Sequence, residues 1–339
     1  MTETSSVRST HGSPDGADEQ RPARLSVVVC AFSFARLEQT VSSVASLVSQ
    51  DPQPAEVIVV VDYNEPLRES LAARLDDSLV VANEGRRGLS GARNTGLAYS
   101  TSEIVAFVDD DAEADPGWAA AIAAPFGDSS IAAVGGVALP SWSGPAPGWF
   151  PEELLWAVGC SYRGMVTEGP IRNPLGCNMA FRAEAIRKAG LFDSALGRVG
   201  TLPFGCEETE LCVRLRRSDP GARVVIVPGA VVRHHVPAER ATLRYVLRRS
   251  YYEGIGKAMM RRNADSGDLG TERRYALKVL PRAIARDLGG MALLRQPSRR
   301  AKRIAAIVGS LGLAGIGYLA GLIKRTDGPA AAAQTRVAP

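Results

Sequence analysis

Leu25–Ala31 (LSVVVCA) and Glu56–Val61 (EVIVVV) are short, nearly unbroken apolar runs rich in β-branched residues. Such runs read as strands buried on both faces of a parallel sheet. Leu79–Ala82 and Ile104–Val108 predict two more strands. Between them the apolar spacing changes. Leu37, Val41, Val44, Leu47 and Val48 recur at helical intervals over 36–50, and further helices are expected over 66–75 and 88–99. Strand alternating with helix predicts an α/β fold: a doubly wound, mostly parallel sheet with right-handed crossovers. Ligands bind such sheets beyond the carboxyl ends of strands. Asp62 and the triplet Asp109-Asp110-Asp111 stand at two of those ends.

Ser141–Pro151, rich in Pro, Gly and Trp, marks a break. Beyond it the pattern predicts a loop and short strand over 173–181, helices over 183–189 and 207–217, and a strand over 223–227. Basic helices then run to Arg303. Ile304–Ile323 contains no charged residue and is flanked by Arg299–Arg303 and Lys324-Arg325. It is long enough to span a hydrocarbon core, yet Gly309, Gly312, Gly315, Gly317 and Gly321 dilute it. Three readings stand: a spanning helix, an interfacial or re-entrant hairpin, and a buried soluble helix. The expected organisation is a disordered tail over 1–23, an α/β domain over 24–238 and a basic helical extension over 239–303. A membrane-associating segment over 304–325 and a second disordered tail over 326–339 complete it.

The 339 residues suffice for one large domain whose core needs no covalent staples. Net charge is only +4, but its distribution is uneven. From Arg240 to Arg303 basic residues outnumber acidic ones about three to one, which suggests an anionic partner such as lipid headgroups. A nucleic-acid partner is not expected, because no aromatic–basic interleaving or known module accompanies these helices. Five cysteines, odd in number and without CxxC pairing, argue against a disulfide framework or zinc knuckle and for a reducing compartment. Residues 1–23 have no apolar core of a signal peptide. No GxGxxG follows a strand, and GxxxxGK[ST], HExxH and GxSxG are absent, which removes those chemistries.

Candidate chemistry rests on a few acids and one histidine pair. Three carboxylates at the end of a buried strand repel one another unless a cation sits between them. Mg²⁺ or Mn²⁺ with hard oxygen ligands would neutralise a departing diphosphate; the plainer alternative is a solvated acidic turn opening a helix at Pro116. Asp62 would accept hydrogen bonds from a base or ribose, or form an ordinary Asx turn before Asn64. Glu207, Glu208 and Glu210 open a helix, either complementing its dipole or placing one carboxylate as a general base. His234-His235 follows strand-like Val231-Val232. Adjacent strand residues face opposite ways, so at most one can join the acidic site; otherwise the pair is a polar turn before Pro237.

Taken in order, these pieces resemble family 2 of the inverting glycosyltransferases, which have the A-type nucleotide-sugar fold. The matching stretches are LSVVVCAFSFARLEQTVSSVASLVSQ, EVIVVVD, GLSGARNTGLAYSTSEIVAFVDDDAEADPGW, GCNMAFRAEAIRKAGLFD and FGCEETELCVRLRR. The resemblance covers roughly residues 25–235. Downstream, RHHVPAERATLRYVLRRSYYEGIGKA is similar to a subset acting on polyprenyl- or dolichyl-linked saccharides, archaeal glucuronosyltransferases among them. The resemblance implies a nucleotide-sugar donor, with UDP favoured, and a saccharide or polyprenyl-linked acceptor at the cytoplasmic side of a membrane. It implies that Asp62 contacts the base and that Arg93, Asn94 and the triplet, Asp110 included, lie at the donor. Asp109 and Asp111 become the outer carboxylates of a DxD motif, Asp111 the principal ligand of Mg²⁺ or Mn²⁺. Gly176, Cys177 and Asn178 line the sugar and acceptor cleft, joined by Glu207. Glu208 is the base, and His234 contacts the metal or diphosphate, with His235 the next choice.

Departures from the family pattern matter. Ala31-Phe32-Ser33 stands where Thr-Tyr-Asn is usual, and Glu208 stands where Asp is more common. The QxxRW motif of processive synthases is absent, which implies addition of a single sugar. A single base with no enzyme nucleophile implies inversion at the anomeric carbon. Two rival functions fit the same residues. A sugar nucleotidylyltransferase would place a glycine- and arginine-rich signature after the first strand, where CAFSFAR stands; a membrane-bound saccharide-binding protein would need no catalysis at all.

Overall fold

A computed structural model describes residues 24–198, 205–263 and 270–323. The two expected tails therefore lie outside the described residues. Strands β1 (Leu25–Ala31), β2 (Glu56–Val61), β3 (Leu79–Ala82) and β4 (Ile104–Asp109) alternate with helices α1 (Leu37–Val48), α2 (Glu65–Ala72) and α3 (Leu89–Tyr99). β5 (Ala112–Ala114), α4 (Trp118–Ala123), β6 (Ile131–Trp142), β7 (Gly169–Pro170), β8 (Asn178–Arg182) and α5 (Ala183–Ala189) follow. α6 (Glu207–Ser218) and β9 (Arg223–Val236) complete the α/β part. The sheet order is β3-β2-β1-β4-β8-β6-β9-β5, with β7 beside β9. β1, β2, β3, β4, β6 and β9 point one way; β8, inserted between β4 and β6, runs against them, as do β5 and β7.

Strand period splits each apolar run between two cores. Val27, Val29, Val57, Val59, Ile104 and Ala106 face α1, α2 and α4. Val28, Ile58, Val60, Val105 and Phe107 face α3, α5 and α6. Both faces being covered is why these strands read as continuous hydrophobe instead of alternating. Packing is tight enough that a Cβ on Gly96 of α3 would lie 2.3 Å from Val28 Cγ1.

Three strands, β5, β6 and β7, are absent from the sequence pattern, and β9 runs past its expected end. β6 (IAAVGGVALPSW) is built from alanine, glycine and proline with few β-branched residues, and its position in the middle of the sheet overrides weak propensity. β9 continues nine residues past the expected Val227, to Val236. Pro228-Gly229 look like a stop, but they sit in a bulge: Ile226 pairs with Gly135 and Val231 with Val137.

Helices α7 (Leu243–Asn263), α8 (Gly270–Arg274), α9 (Leu280–Ala292) and α10 (Pro297–Ile323) follow. Leu280, Ala283, Ala306, Ile307 and Val246 join Phe150, Leu154 and Val158 in a third core. The apolar segment is one continuous helix, α10, so the hairpin reading does not hold. Its Gly317 lies against α7: a Cβ there would be 2.0 Å from the Tyr251 carbonyl oxygen, and one on Gly254 of α7 would be 2.0 Å from that of Ala314. Ser250 and Ser310 share a 2.7 Å hydrogen bond across the same contact. The opposite face, with Val308, Leu311, Ile316, Leu319 and Ile323, is exposed.

Candidate active site

β4 delivers Asp109 as its last residue, paired in register with Cys30 of β1. The chain then reverses through β5, whose antiparallel pairing with β9 sets Ala112 opposite His234. The His235 N–H donates to the Asp111 carbonyl at 2.7 Å. Strand alternation sends the two histidines apart as expected. His235 reaches the Ser143 hydroxyl at 3.2 Å near the surface, whereas His234 is buried beside the triplet. His234 Nε2 lies 3.2 Å from Asp111 Oδ1 and 3.9 Å from Asp109 Oδ2. Donor atoms of Asp109, Asp111 and His234 all lie within 4.8 Å of one another.

Asp110 and Asp111 are 3% and 4% exposed, which rules out a solvated acidic turn. Asp111 Oδ1 and Asp110 Oδ2 are buried without a hydrogen bond, a costly arrangement for a carboxylate unless a charge stands close by. Arg36 supplies part of that charge, at 2.6 Å from Asp110 and 3.1 Å from Asp111. Burial alone would raise Asp111; His234, Arg36 and Arg240 outweigh it and hold this carboxyl well below the usual range. Burial would lower His234, but Asp111 lifts it to about 10. Burial and the Asp111 charge push Asp110 up to about 7 against Arg36. A buried group of two carboxylates and an imidazole can hold a divalent cation of the Mn²⁺ type.

Arg93, 2% exposed on α3, ties this centre to the opposite wall. It donates to Glu207 Oε1 at 2.9 Å and to the Gly176 carbonyl at 2.9 Å, and stands 3.6 Å from Asp109. Glu207 opens α6 after Cys206, whose left-handed φ of 80° costs a non-glycine residue roughly 1–2 kcal/mol. Such strain is stored where the surrounding structure needs a particular chain direction; here α6 begins at the cleft wall. Glu208 follows on that wall, and burial together with the Glu207 carboxylate pushes it up to about 7.

Two cavities meet at this place. A large one of about 650 Å³ is lined by Arg93, Asp109, Gly176, Cys177, Glu207, Glu208 and His234. A small one of about 50 Å³ is lined by Asp62, Cys30, Arg36 and Asp110. Asp109, Leu89 and Arg198 line both. Asp62 and Glu208, from a strand end and a distant helix start, thus line adjoining cavities that share Asp109, while Asp111 stands behind Asp109 and lines neither. Asp62 is held in place by Asn83 Nδ2 at 2.7 Å and the Gly88 N–H at 3.1 Å.

Two residues expected in the cleft are used elsewhere. Asn94 exchanges hydrogen bonds with the backbone of Phe192, at 2.9 and 3.0 Å. Asn178 donates to the Val137 and Ala230 carbonyls and accepts from Trp118 Nε1 at 2.9 Å. With both ends of each amide consumed, they brace α3 and the β9 bulge and line neither cavity. Conversely, Arg36 and Arg240 were not singled out from the sequence. Arg240 Nη1 is buried without a hydrogen bond, 3.9 Å from Asp111. Nothing in local spacing marks either one; both reach the triplet only through tertiary contact.

The model of glycosyl transferase family 2 matches residues 26–190. The glucosyl-dolichyl phosphate glucuronosyltransferase of Haloferax volcanii is 33% identical over 242 residues, covering 70% of this chain and 77% of that protein. A mannosyltransferase from Pyrobaculum calidifontis, solved with GDP-Man and Mn²⁺, superposes with a TM-score of 0.57 at 18% identity, over 91% of this chain and 90% of that one. GalNAc-T7, solved with UDP, GalNAc and Mn²⁺, gives 0.50 at 20% identity over 76% of this chain. This chain spans only 54% of that protein. The two solved structures share the α/β A-type fold, and the sequence relationships show the rest: this chain is an enzyme of glycosyl transferase family 2, transferring a sugar from a nucleotide sugar.

Proposed function

We propose that the protein moves one sugar, with inversion, from a nucleoside-diphosphate sugar to a hydroxyl of a lipid-linked saccharide at a membrane surface. UDP is the favoured nucleotide. The convergence of Asp109, Asp111 and His234 within 4.8 Å, on a cleft that also contains Glu208, carries this reading. Asp109, Asp111 and His234 would hold Mg²⁺ or Mn²⁺, which would supply charge neutralisation at the leaving diphosphate. Arg36 and Arg240 add positive charge beside the same carboxylates, and Asp62 receives the base in the small cavity. Glu208 takes the proton of the attacking hydroxyl, a role that suits a carboxyl held near neutrality. Arg93 orients the two halves by pairing with Glu207 and Asp109.

The acceptor class rests on the haloarchaeal relative, whose name describes transfer onto a glucosyl-dolichyl phosphate. α10 is long and apolar enough to cross a membrane by length and composition. Its glycine-lined side is packed on α7, which favours a helix lying against the bilayer, peripheral or monotopic, over a spanning one; the free cysteines fit the cytoplasmic side. Full-length protein incubated with Mn²⁺ and UDP-, GDP- or dTDP-sugars should release nucleoside diphosphate from one of them. Glu208→Gln should lower turnover by a factor on the order of a hundred while donor affinity stays within about threefold. Release of pyrophosphate, or wild-type turnover in that variant, would contradict the assignment.

A further inference from the structure

The large cavity runs past Glu208 into a charged cluster that the transfer chemistry leaves unused. Arg172 stands 2.7 Å from Glu272, and Lys257 lies 2.9 Å from Glu272 and 3.4 Å from Glu253. Arg249 lies 2.8 Å from Glu253. Arg172, Arg249 and Lys257 thus share two carboxylates, and Arg274 adds an exposed cation on the same lining. The three inner cations are only 12–13% exposed. Long cationic side chains are seldom withdrawn from water without full compensation; among the described residues, these three and Arg274 face Glu253, Glu272 and, at longer range, Glu208, so the cluster carries more cations than acids.

The same cavity has an apolar wall of Met165, Val166, Val279, Leu280, Leu311 and Ala314. Leu311 belongs to this wall and also to the exposed face of α10, where it is 48% exposed. The cavity therefore reaches the uncovered apolar stripe that continues through Ile316, Leu319 and Ile323. A cluster with more cations than acids, joined by an apolar wall to an open apolar helix face, matches an amphiphile with one anionic end.

We propose that Arg172, Lys257 and Arg249 bind the phosphate of the acceptor's carrier, a phosphate ester on a long apolar chain drawn from a bilayer along α10. This rests on the sugar-transfer reading above and locates its acceptor. Charge-assisted hydrogen bonds from guanidinium and ammonium groups hold the phosphate, and the chain lies on the Met165–Leu311 wall. The saccharide beyond the phosphate is thereby brought to Glu208, which lines the same cavity.

The test uses full-length protein in neutral detergent with farnesyl phosphate, farnesol and inorganic phosphate, read by isothermal titration. Farnesyl phosphate should bind at least about tenfold more tightly than either other probe, since each lacks one half of the recognised chemistry. Lys257→Met should weaken farnesyl phosphate about tenfold, the loss of one charge-assisted contact. Glu272→Gln should tighten it, because a competing carboxylate is removed. Opposite signs separate a ligand site from a purely structural ion network, in which both substitutions weaken binding or neither matters. Equal affinity for farnesyl phosphate and farnesol, or for farnesyl phosphate and inorganic phosphate, overturns the proposal. Wild-type donor hydrolysis with Mn²⁺, measured alongside, reports on the sugar-transfer reading separately: hydrolysis without farnesyl phosphate binding removes the subsite alone.

Discussion

Two buried acid sites in this molecule are compensated in different ways. At the cleft wall, Arg93 is the one cation paired with Glu207 among the described residues, and it also approaches Asp109. In the helical half, buried Glu153 and Asp287 are surrounded by redundant cations. Arg286 and Arg303 approach Glu153, and Arg300 and Arg303 approach Asp287. A single pairing leaves the Glu207 wall of the cleft electrostatically responsive to a substrate or cation; Asp111 beside it, near Arg36, Arg240 and His234, is compensated more than once. Redundant compensation fastens α9 and α10 to the segment containing Glu153. The difference also revises the reading of the basic C-terminal stretch: Arg249, Lys257, Arg286, Arg300 and Arg303 face internal acids, so only part of that charge is offered outward.

The contrast breaks most visibly at Arg93. Arg93→Met leaves Glu207 without its cation and Asp109 with His234 as its only ion-pair partner among the described residues, and should cost about 3–5 kcal/mol of stability and at least about a hundredfold in kcat/KM. Arg303→Met leaves each acid another arginine and should cost about 1–2 kcal/mol, with thermal unfolding as the common measurement. Equal losses would erase the distinction. At the next size down, activity should carry an acid limb near pH 7, because Glu208, raised by burial and by Glu207, must be ionised to accept a proton. kcat/KM is then retained above this value and falls about tenfold per unit below it. A profile flat from pH 8 to 5.5 would remove Glu208 from the role. The smaller effect belongs to the helical half. Gly317→Val forces a side chain into the Tyr251 carbonyl, and should destabilise the α7–α10 contact by about 1–3 kcal/mol. Hydrogen exchange should then quicken in these helices while β1–β4 keep their protection.

Legibility followed the same division. β1, β2 and β3 end where their apolar runs end, and Asp62 and Asp109–Asp111 were readable as acids delivered to a sheet edge. A run buried on both faces admits few alternatives. β6 was missed because alanine and glycine carry no strand signal, and the end of β9 because Pro228-Gly229 in a bulge look like a turn. Asn94 and Asn178 sit inside the matching motifs, yet their amides are consumed by backbone; a motif position does not say which way a side chain turns. The glycines of α10 looked like dilution of a membrane span. Gly317 and Gly321 instead permit close approach to α7, information that exists only once the neighbour is placed.

Direct titration of Mn²⁺ in the presence of a nucleoside diphosphate bears on the cation centre most closely. One Mn²⁺ should bind per chain, at least about tenfold more weakly in Asp111→Asn and in His234→Ala. His235→Ala, altering the neighbour that faces Ser143, should bind as the wild type does. Undiminished binding in both of the first two variants would contradict a metal held between the end of β4 and His234 of β9.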